Sequence, residues 1–567
     1  MTKYILLFSV FIFLSYSCSE TNEVYIGKGN KVYGGTLTFT STEKVERFFP
    51  LSSYSLHEQR VLSNIYEPLF KVDQKNNLIP HLAKGSSISK DRKTIDIFIR
   101  KGVDFHDNEC FSGGSSEMSV EDVLFSLAFA CSGHPLNQLG HILTGKIEGS
   151  LEFSRKTIKK IGNERPKGLS KLNDSTIRIR LNQPYNNFIQ LLSHPSIVVL
   201  SKSAFEYYGV KISENPIGTG PFVFENYSKE KILLNRNPSY WKFDRYGNQL
   251  PFLQKIEVLQ PISSDKEYQL FATNKTDLIL DLNVEKLENT FGTLVDAQKG
   301  KNVLHRVIFQ RGNKVNFIGF DCATLPFQDQ RVRKAFFLAV DRERLFIDVL
   351  KGDGNIKAKG FIPETNYYQG KTLKKVDFNP VQAKRYLMEA GYNAAKPFPE
   401  LMFYYSAIEG SLNDNYLKEV CKQISTNLSV SIVPKRVDYN ERKLAIQSGK
   451  AKIFKAAWMA DYPDPEAYLG VFYSGNKGKN NAVWNLNNFK NKDFDYWYER
   501  ALLEKNQVEK HKFQLACDQL LVDEAAVIPL YNEDLFMVLN VRVRDFKLNP
   551  NGLLDLTSTY LKEVKVN

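Results

Sequence analysis

The stretch NYLKEVCKQISTNLSVSIVPKRV, residues 415–437, changes its pattern halfway along. Its first part carries apolar residues at helical spacing, which predicts an amphipathic helix over 415–428. Its second part predicts a strand, and AKIFKAAWM at 451–459 predicts another strand of the same α/β unit. Helices and strands are mixed in this way along the chain. We therefore predict an α/β fold with more than one lobe.

Several other segments carry equally clear patterns. SVEDVLFSLAFA at 119–130 begins with a capping serine and two acids, then shows apolar residues at helical spacing. Alternating strands are predicted at 34–40 and 175–185, and a strand with its return at 94–107. Further helices are predicted at 332–350, 379–392 and 495–524.

Length and charge restrict the class of protein. At 567 residues the chain is too long for one core, so two or three domains are expected. The net charge of +13 comes from scattered Lys and Arg with no run longer than a pair, which disfavours nucleic-acid binding. The aromatic share of 13% suits either ligand-enclosing grooves or aromatic-rich cores.

The N-terminus predicts an exported protein. Residues 1–18 have a short basic start, eleven apolar residues and the ending SYSC, which is too short to span a membrane and is typical of a signal peptide. A cysteine directly after the apolar run resembles a bacterial lipoprotein signal, in which Cys18 would be lipidated. A simply cleaved secreted protein is the alternative. The polar residues 19–33 are predicted to be a tether.

Motifs for catalysis, metal binding and cofactor binding are absent from the sequence. There is no GxSxG, HExxH, phosphate loop or GxGxxG, and no Cys/His cluster with zinc spacing. We predict no enzymatic activity, no cofactor and no metal. Cys110 and Cys131 flank one segment and either form a disulfide or remain buried free thiols.

Six stretches, in the right order, resemble the dipeptide/oligopeptide-binding family of extracellular solute-binding proteins. They are NIYEPLF with residues 78–107, MSVEDVLFS at 118–126, residues 181–202, NPIGTGPFVFENY at 215–227, RVRKAFFLAVDRERL at 331–345, and the Trp-x-Ala-Asp-Tyr of residues 458–462. One departure is NECFSGGSSEM at 108–118, which lengthens a turn and replaces a usual glycine with Asn108.

The resemblance implies a two-lobe periplasmic-binding-protein clamp with an extra domain in the first lobe. The implied division is a discontinuous first lobe at 34–60, 170–270 and 487–567, an extra domain at 61–169 and a second lobe at 271–486. It also implies the substrate-binding lipoprotein of an ABC importer. Such a protein would be a monomer at the periplasmic or cell-surface side of a bacterial membrane, where it captures short peptides and delivers them to permease and ATPase subunits.

The resemblance assigns Asp461 to the α-amino group of an extended peptide. A carboxylate between Trp458 and Tyr462 on closing lobes would be partly desolvated, which strengthens its attraction for an ammonium. The alternative is that Asp461 caps the following turn. Asp464, between two prolines, is predicted only to stiffen this turn.

The residues before Asp461 are predicted to form a strand edge that pairs with the peptide backbone regardless of side-chain identity. They are Lys455, Ala457, Trp458 and Met459, with Tyr54 and Leu56 as the matching edge in the first lobe. Lys455 is assigned either to the peptide carboxylate or to solvent. Phe271 either lines the pocket or packs in a core, and His194 is predicted to be structural.

Other cargo on the same fold, such as a nickel complex, haem or a sugar, is the alternative function. A sensory or surface lipoprotein that does not transport is another.

Overall fold

The computed structural model describes residues 25–562 except 54, 160, 261, 281–304, 351–354, 358, 366, 408, 461, 463, 477–484, 486 and 550. The strands of its two large sheets are β1 Thr36–Thr40, β2 Ala83–Ile88, β3 Thr94–Ile99, β4 Leu169–Asn173, β5 Thr176–Arg180, β6 Phe222–Tyr227, β7 Lys231–Arg236, β8 Lys255–Leu259, β9 Leu278–Ile279, β10 His305–Phe320, β11 Asn355–Lys357, β12 Leu401–Tyr405, β13 Ile432–Arg436, β14 Ile453–Met459 and β15 Val527–Asn540. The helices are α1 Leu56–Leu62, α2 Val120–Ala130, α3 Ser150–Lys156, α4 Phe188–Leu191, α5 Lys202–Tyr208, α6 Ser264–Ala272, α7 Gln330–Leu338, α8 Arg342–Asp348, α9 Pro380–Glu389, α10 Leu412–Leu428, α11 Tyr439–Gln447, α12 Glu466–Leu469, α13 Lys492–Leu503 and α14 Gln507–Asp523.

Eleven of the described strands form one mixed sheet. Its order is β6-β7-β8-β1-β9-β15-β10-β14-β12-β13, with β11 paired to β15. The strands that precede residue 280 lie on one side of the pair β15–β10, and β14, β12 and β13 lie on the other. The α/β prediction with more than one lobe is confirmed.

Two long antiparallel strands, β10 and β15, join the two halves of this sheet. They pair from His305 with Asn540 to Gly319 with Val527, and their register shifts between Gln310 and Lys314. Among the described strands, β10 and β15 are the two that stand between the two groups and hold them in one sheet. A relative rotation of the halves would therefore have to bend or twist these two strands.

A second sheet of order β2-β3-β5-β4 forms the extra unit, with α2 packed on it. The predicted helix 119–130 is confirmed, because the Ser119 side chain accepts from Asp122 N while the Asp122 carboxylate accepts from Ser119 N. Since β5 spans Thr176–Arg180, this sheet continues past the predicted boundary at 169.

Three local predictions are wrong. The helix expected over 332–350 is two helices, because Asp341 caps α8 by accepting from Arg344 N at 3.0 Å. The helix expected over 495–524 is likewise two, with Asn506 capping α14. Ser55 and Leu56 do not lie in a strand: Ser55 is the N-cap of α1 in a capping box with Glu58.

The division into domains remains a prediction, and some contacts bear on it. Residues 25–33, expected in the tether, include the ribbon of Ile26–Gly27 with Lys31–Val32, and Lys28 N donates to Asn248 Oδ1 at 2.9 Å. Helices α13 and α14, expected in the first lobe, pack against each other and against α12, which follows β14.

The disulfide is not formed. Cys110 and Cys131 are both free thiols, and Cys131 is fully buried at the end of α2. Within the described ranges no helix is both long and apolar enough to cross a membrane.

Candidate functional site

Strand β14 carries four of the eight residues predicted to bind a ligand. It pairs with β10 along its whole length, from Met459 opposite Lys314 to Ile453 opposite Phe320. On its other side it pairs with β12 only at Ile453 and Phe454. Residues 455–459 thus have one edge with no strand partner among the described residues, which is the geometry that backbone pairing with an extended chain requires.

Lys455 lies at the start of this open edge and is only 7% exposed. The solvent-facing alternative for Lys455 is therefore wrong. Burial, with help from the nearby cations Lys314 and Arg442, lowers the pKa of its ammonium to about 7, although Glu533 opposes the shift. The hydrogen bonds and ion pairs of the described residues include no acceptor for this ammonium. A buried cation in this situation favours a negatively charged partner.

The neighbouring strands β10 and β15 carry polar side chains close to Lys455. Lys314 Nζ forms an ion pair with Glu533 Oε2 at 2.8 Å, and Asn316 Nδ2 donates to the same oxygen at 3.2 Å. Burial alone would raise the pKa of Glu533, but Lys314 and Lys455 hold it below its usual range. With Lys314, Lys455 and Arg442 against one acid, the local balance of charge is positive and suits an anion.

The turn after β14 is held in place by side chains of helix α14. The buried carboxylate of Asp464 forms an ion pair with Lys510 Nζ of α14 at 2.5 Å and accepts from Gln514 Nε2 at 3.2 Å. It also accepts from Glu466 N at 2.9 Å, at the start of α12. Asp464 stiffens the turn as predicted and, in addition, attaches it to α14. Asp461 itself lies outside the described residues, so its role stays a prediction.

Trp458, Ala457 and Met459 are half-buried on β14. The Trp458 indole donates its Nε1 hydrogen to Ala467 O at 2.7 Å, which holds the ring against α12. The strand predicted here is confirmed, whereas ligand contact by these three side chains stays a prediction.

Leu56 and Phe271 belong to helices rather than to β14. Tyr54 is outside the described residues, and Leu56 is half-buried at the first position of α1. Phe271 is 1% exposed and packs with Ile279, Phe536 and Val538, as its alternative role in a core requires. His194 is buried and accepts from Ser196 N at 3.0 Å, in keeping with a structural role.

Lys314, Asn316, Glu533 and Lys510 were missed by reasoning from the sequence. Lys314 and Asn316 alternate with apolar residues in NKVNF at 313–317, which signals a strand with one polar face. Nothing in the sequence shows that this face meets Lys455. Among the described residues, no group of three or more His, Cys, Asp or Glu could hold a metal ion.

Two mixed α/β halves joined by two long strands, with an open strand edge that begins at a buried cation, are the architecture of a two-lobe solute-binding protein. The sequence profile described as bacterial extracellular solute-binding proteins, family 5 (middle), matches residues 77–480. The chain belongs to this family, which is a family of substrate-binding proteins rather than enzymes.

Named relatives cover most of the chain. Heme-binding protein A of Haemophilus influenzae is 25% identical over 511 residues, covering 88% of this chain and 87% of that protein. Di/tripeptide-binding protein 1 of Pseudomonas aeruginosa is 23% identical over 485 residues, covering 84% of each. The periplasmic binding protein DppA of Helicobacter pylori, solved in complex with the peptide STSA, has the same fold, with a TM-score of 0.78, 21% identity and coverage of 94% and 99%.

Proposed function

We propose that this chain is the substrate-binding component of an ABC importer, which captures short extended peptides between its lobes and delivers them to a membrane permease. The observation that carries the proposal is the open edge of β14 at residues 455–459, with the buried cation Lys455 at one end. Peptide-binding names among the relatives and the DppA–peptide complex support it.

In the proposed complex the peptide backbone pairs with the open edge of β14. Main-chain hydrogen bonds do not depend on side-chain identity, so one site can accept many sequences. Asp461 receives the α-amino group, and Lys455 receives a carboxylate of the peptide. The lobes close because the bound peptide contacts both of them, and only such differential affinity can shift the open–closed equilibrium.

The proposed setting is the outer side of a bacterial membrane, either periplasmic or at the cell surface. A lipid on Cys18 would hold the chain there as a monomer, next to the permease and ATPase subunits that receive the peptide. Whether the protein transports or senses depends on those partners.

Haem is the second candidate cargo, because one relative is named for binding it. Four described histidines are buried, and each has a ring nitrogen already engaged. His81 contacts Glu67, His106 contacts Gly220 O, and His134 and His194 accept from Leu136 N and Ser196 N. These contacts favour structural roles for all four, so peptides remain the first candidate.

Native mass spectrometry before and after release of cargo by mild unfolding tests the proposal. We expect a heterogeneous set of short peptides on the wild type, whose masses give the peptide length. Asp461→Asn should weaken their binding at least about 30-fold, since leaving a buried charge unpaired costs about 2 kcal/mol or more. Asp174→Asn, at an exposed turn before β5, is the matched control.

Three outcomes contradict the proposal in different ways. Protein that stays empty with added peptide mixtures contradicts peptide binding. Stoichiometric uptake of haem in place of peptide favours the second candidate. Peptides bound equally by wild type and Asp461→Asn contradict only the role of Asp461.

A further inference from the structure

Two adjacent asparagines, Asn186 and Asn187, immediately precede α4 in the segment LNQPYNNF. This segment belongs to the half of the molecule that carries the extra sheet, because Phe70 N donates to Leu192 O and Val199 N to Glu67 O just after α4. Asn187 is the N-cap of α4, yet its side chain makes no capping hydrogen bond. A residue well suited to capping is therefore used for something else.

Both asparagine side chains bind the group of helices α12, α13 and α14, which pack together after β14 and so belong to the other half of the molecule. Asn187 Nδ2 donates to Glu466 Oε2 of α12 at 3.1 Å, and Asn187 is only 4% exposed. Asn186 Nδ2 donates to Glu504 O, between α13 and α14, at 2.7 Å. Asn186 Oδ1 in turn accepts from Arg92, beside the extra sheet, which holds the amide in orientation.

The Glu466 carboxylate is shared between the two halves. Its Oε1 accepts from the buried hydroxyl of Tyr498 on α13, and its Oε2 accepts from Asn187. Burial and the adjacent Glu466 raise the pKa of Tyr498 well above its usual value, so this hydroxyl remains a donor. Burial lowers the pKa of Lys146, and Glu466 opposes that shift, so a cation of the first half also lies within electrostatic reach of Glu466.

The contact made by these side chains is polar, although buried apolar residues of both halves pack nearby. A groove with a volume of about 430 Å³ opens beside it, lined by Arg92, Tyr185 and Asn186 from one half and by Glu504, Lys505 and Gln507 from the other. Each of these two hydrogen bonds is worth only about 1 kcal/mol, so both can break and reform when the halves move.

We propose that Asn186, Asn187, Glu466 and the Glu504 carbonyl form a latch that keeps the closed state populated before any ligand binds. Glu466 follows Asp461 by five residues and shares a turn with Asp464, so the latch also positions the segment predicted to hold the ligand. Asn187 and Glu466 are thus positioning residues for binding. The proposal needs only the two-lobe fold and is independent of the cargo.

Small-angle X-ray scattering on cargo-free protein tests the latch without a ligand. The protein is unfolded to release cargo and refolded, and its curve is fitted to closed and open states. Asn187→Asp places a second carboxylate against Glu466, and we expect the closed-to-open ratio to fall at least about fivefold, as loss of one hydrogen bond plus repulsion implies. Asn187→Asp combined with Glu466→Gln exchanges amide and carboxylate and should restore the ratio to within about twofold.

Asn182→Ala is the matched control, because Asn182 is an exposed residue of the same segment whose amide binds Gly145 O at 2.8 Å within its own half. The free energy of unfolding is measured for every variant, to separate closure from folding. A wild type that is fully open without ligand overturns the latch. So does an Asn187→Asp ratio equal to that of Asn182→Ala, or a double variant that is no more closed than Asn187→Asp.

Discussion

At the scale of single residues, Lys455 is the clearest case of a group whose burial points to a partner. Its pKa of about 7 lies below the ordinary value of 10.5. The unfolded chain therefore binds a proton between pH 7 and 10.5 that the folded chain does not. The burial of Lys455 therefore lowers the free energy of unfolding by its full amount below pH 7, and this loss disappears as the pH rises from 7 to 10.5.

Lys455→Met should raise the free energy of unfolding by about 2 kcal/mol at pH 6, because it removes a buried charge and keeps the packing of the side chain. The gain should shrink by pH 9, where Lys455 is already neutral. Urea unfolding at both pH values measures it. Lys435→Met, an exposed lysine on β13, should change stability by less than about 0.5 kcal/mol at either pH. Destabilisation by Lys455→Met to the same extent at both pH values would mean that the ammonium is not strained by burial.

The burial of Lys455 could not be read from the sequence. The pattern AKIFKAAWM predicts the strand, and the strand is present at 453–459. Which face of the strand is buried depends on β10 and on Glu533, which is 78 residues further along the chain. Periodicity is a local property, whereas the pKa of Lys455 is set by neighbours from distant segments.

At the scale of elements, the sequence predicts where regular structure lies better than where it ends. The prediction of one helix over 332–350 is wrong because the apolar pattern continues through Ala339 and Val340, whereas Asp341 caps a new helix. The strand prediction is wrong at Ser55 and Leu56 because Ser55 and Glu58 form a capping box, a signal that the S-x-x-E spacing does carry. In both cases a polar cap ends a pattern that side-chain hydropathy alone would extend.

Ser55→Ala tests the cap of α1. Ser55 Oγ accepts from Glu58 N, and its loss leaves that amide without its partner, so we expect the free energy of unfolding to fall by about 1 kcal/mol. Amide hydrogen exchange should accelerate selectively in the first turn of α1. Ser112→Ala, at an exposed position after the short helix Glu109–Phe111, is the control. Unchanged exchange in α1 would show that tertiary packing, rather than the cap, fixes this helix end.

At the scale of the whole molecule, a buried network joins segments that are distant in sequence. Glu67 is fully buried and accepts from His81, Thr219, Tyr240 and Trp241. Burial alone would raise the pKa of Glu67, but His81, Lys71 and Lys242 hold it far below its usual range. Burial also lowers the pKa of His81, to about 3. These hydrogen bonds link the segment of residues 67–81, next to the extra sheet, to the segment of residues 219–241, so we expect the two to move as one body.

Glu67→Gln should lower the free energy of unfolding by about 3 kcal/mol at pH 7, because it leaves buried donors and nearby cations without their acid. Since the folded pKa of Glu67 lies below its unfolded value, its contribution is present above about pH 4.5 and is lost as the pH falls, so the effect of the variant should diminish by pH 4. Urea unfolding at pH 7 and pH 4 measures this, with Glu206→Gln, whose side chain is exposed and 3.7 Å from Lys202, as the control. The closed-to-open ratio should not change, because the network lies within one body. A change in that ratio without loss of stability would instead make Glu67 part of the closing motion.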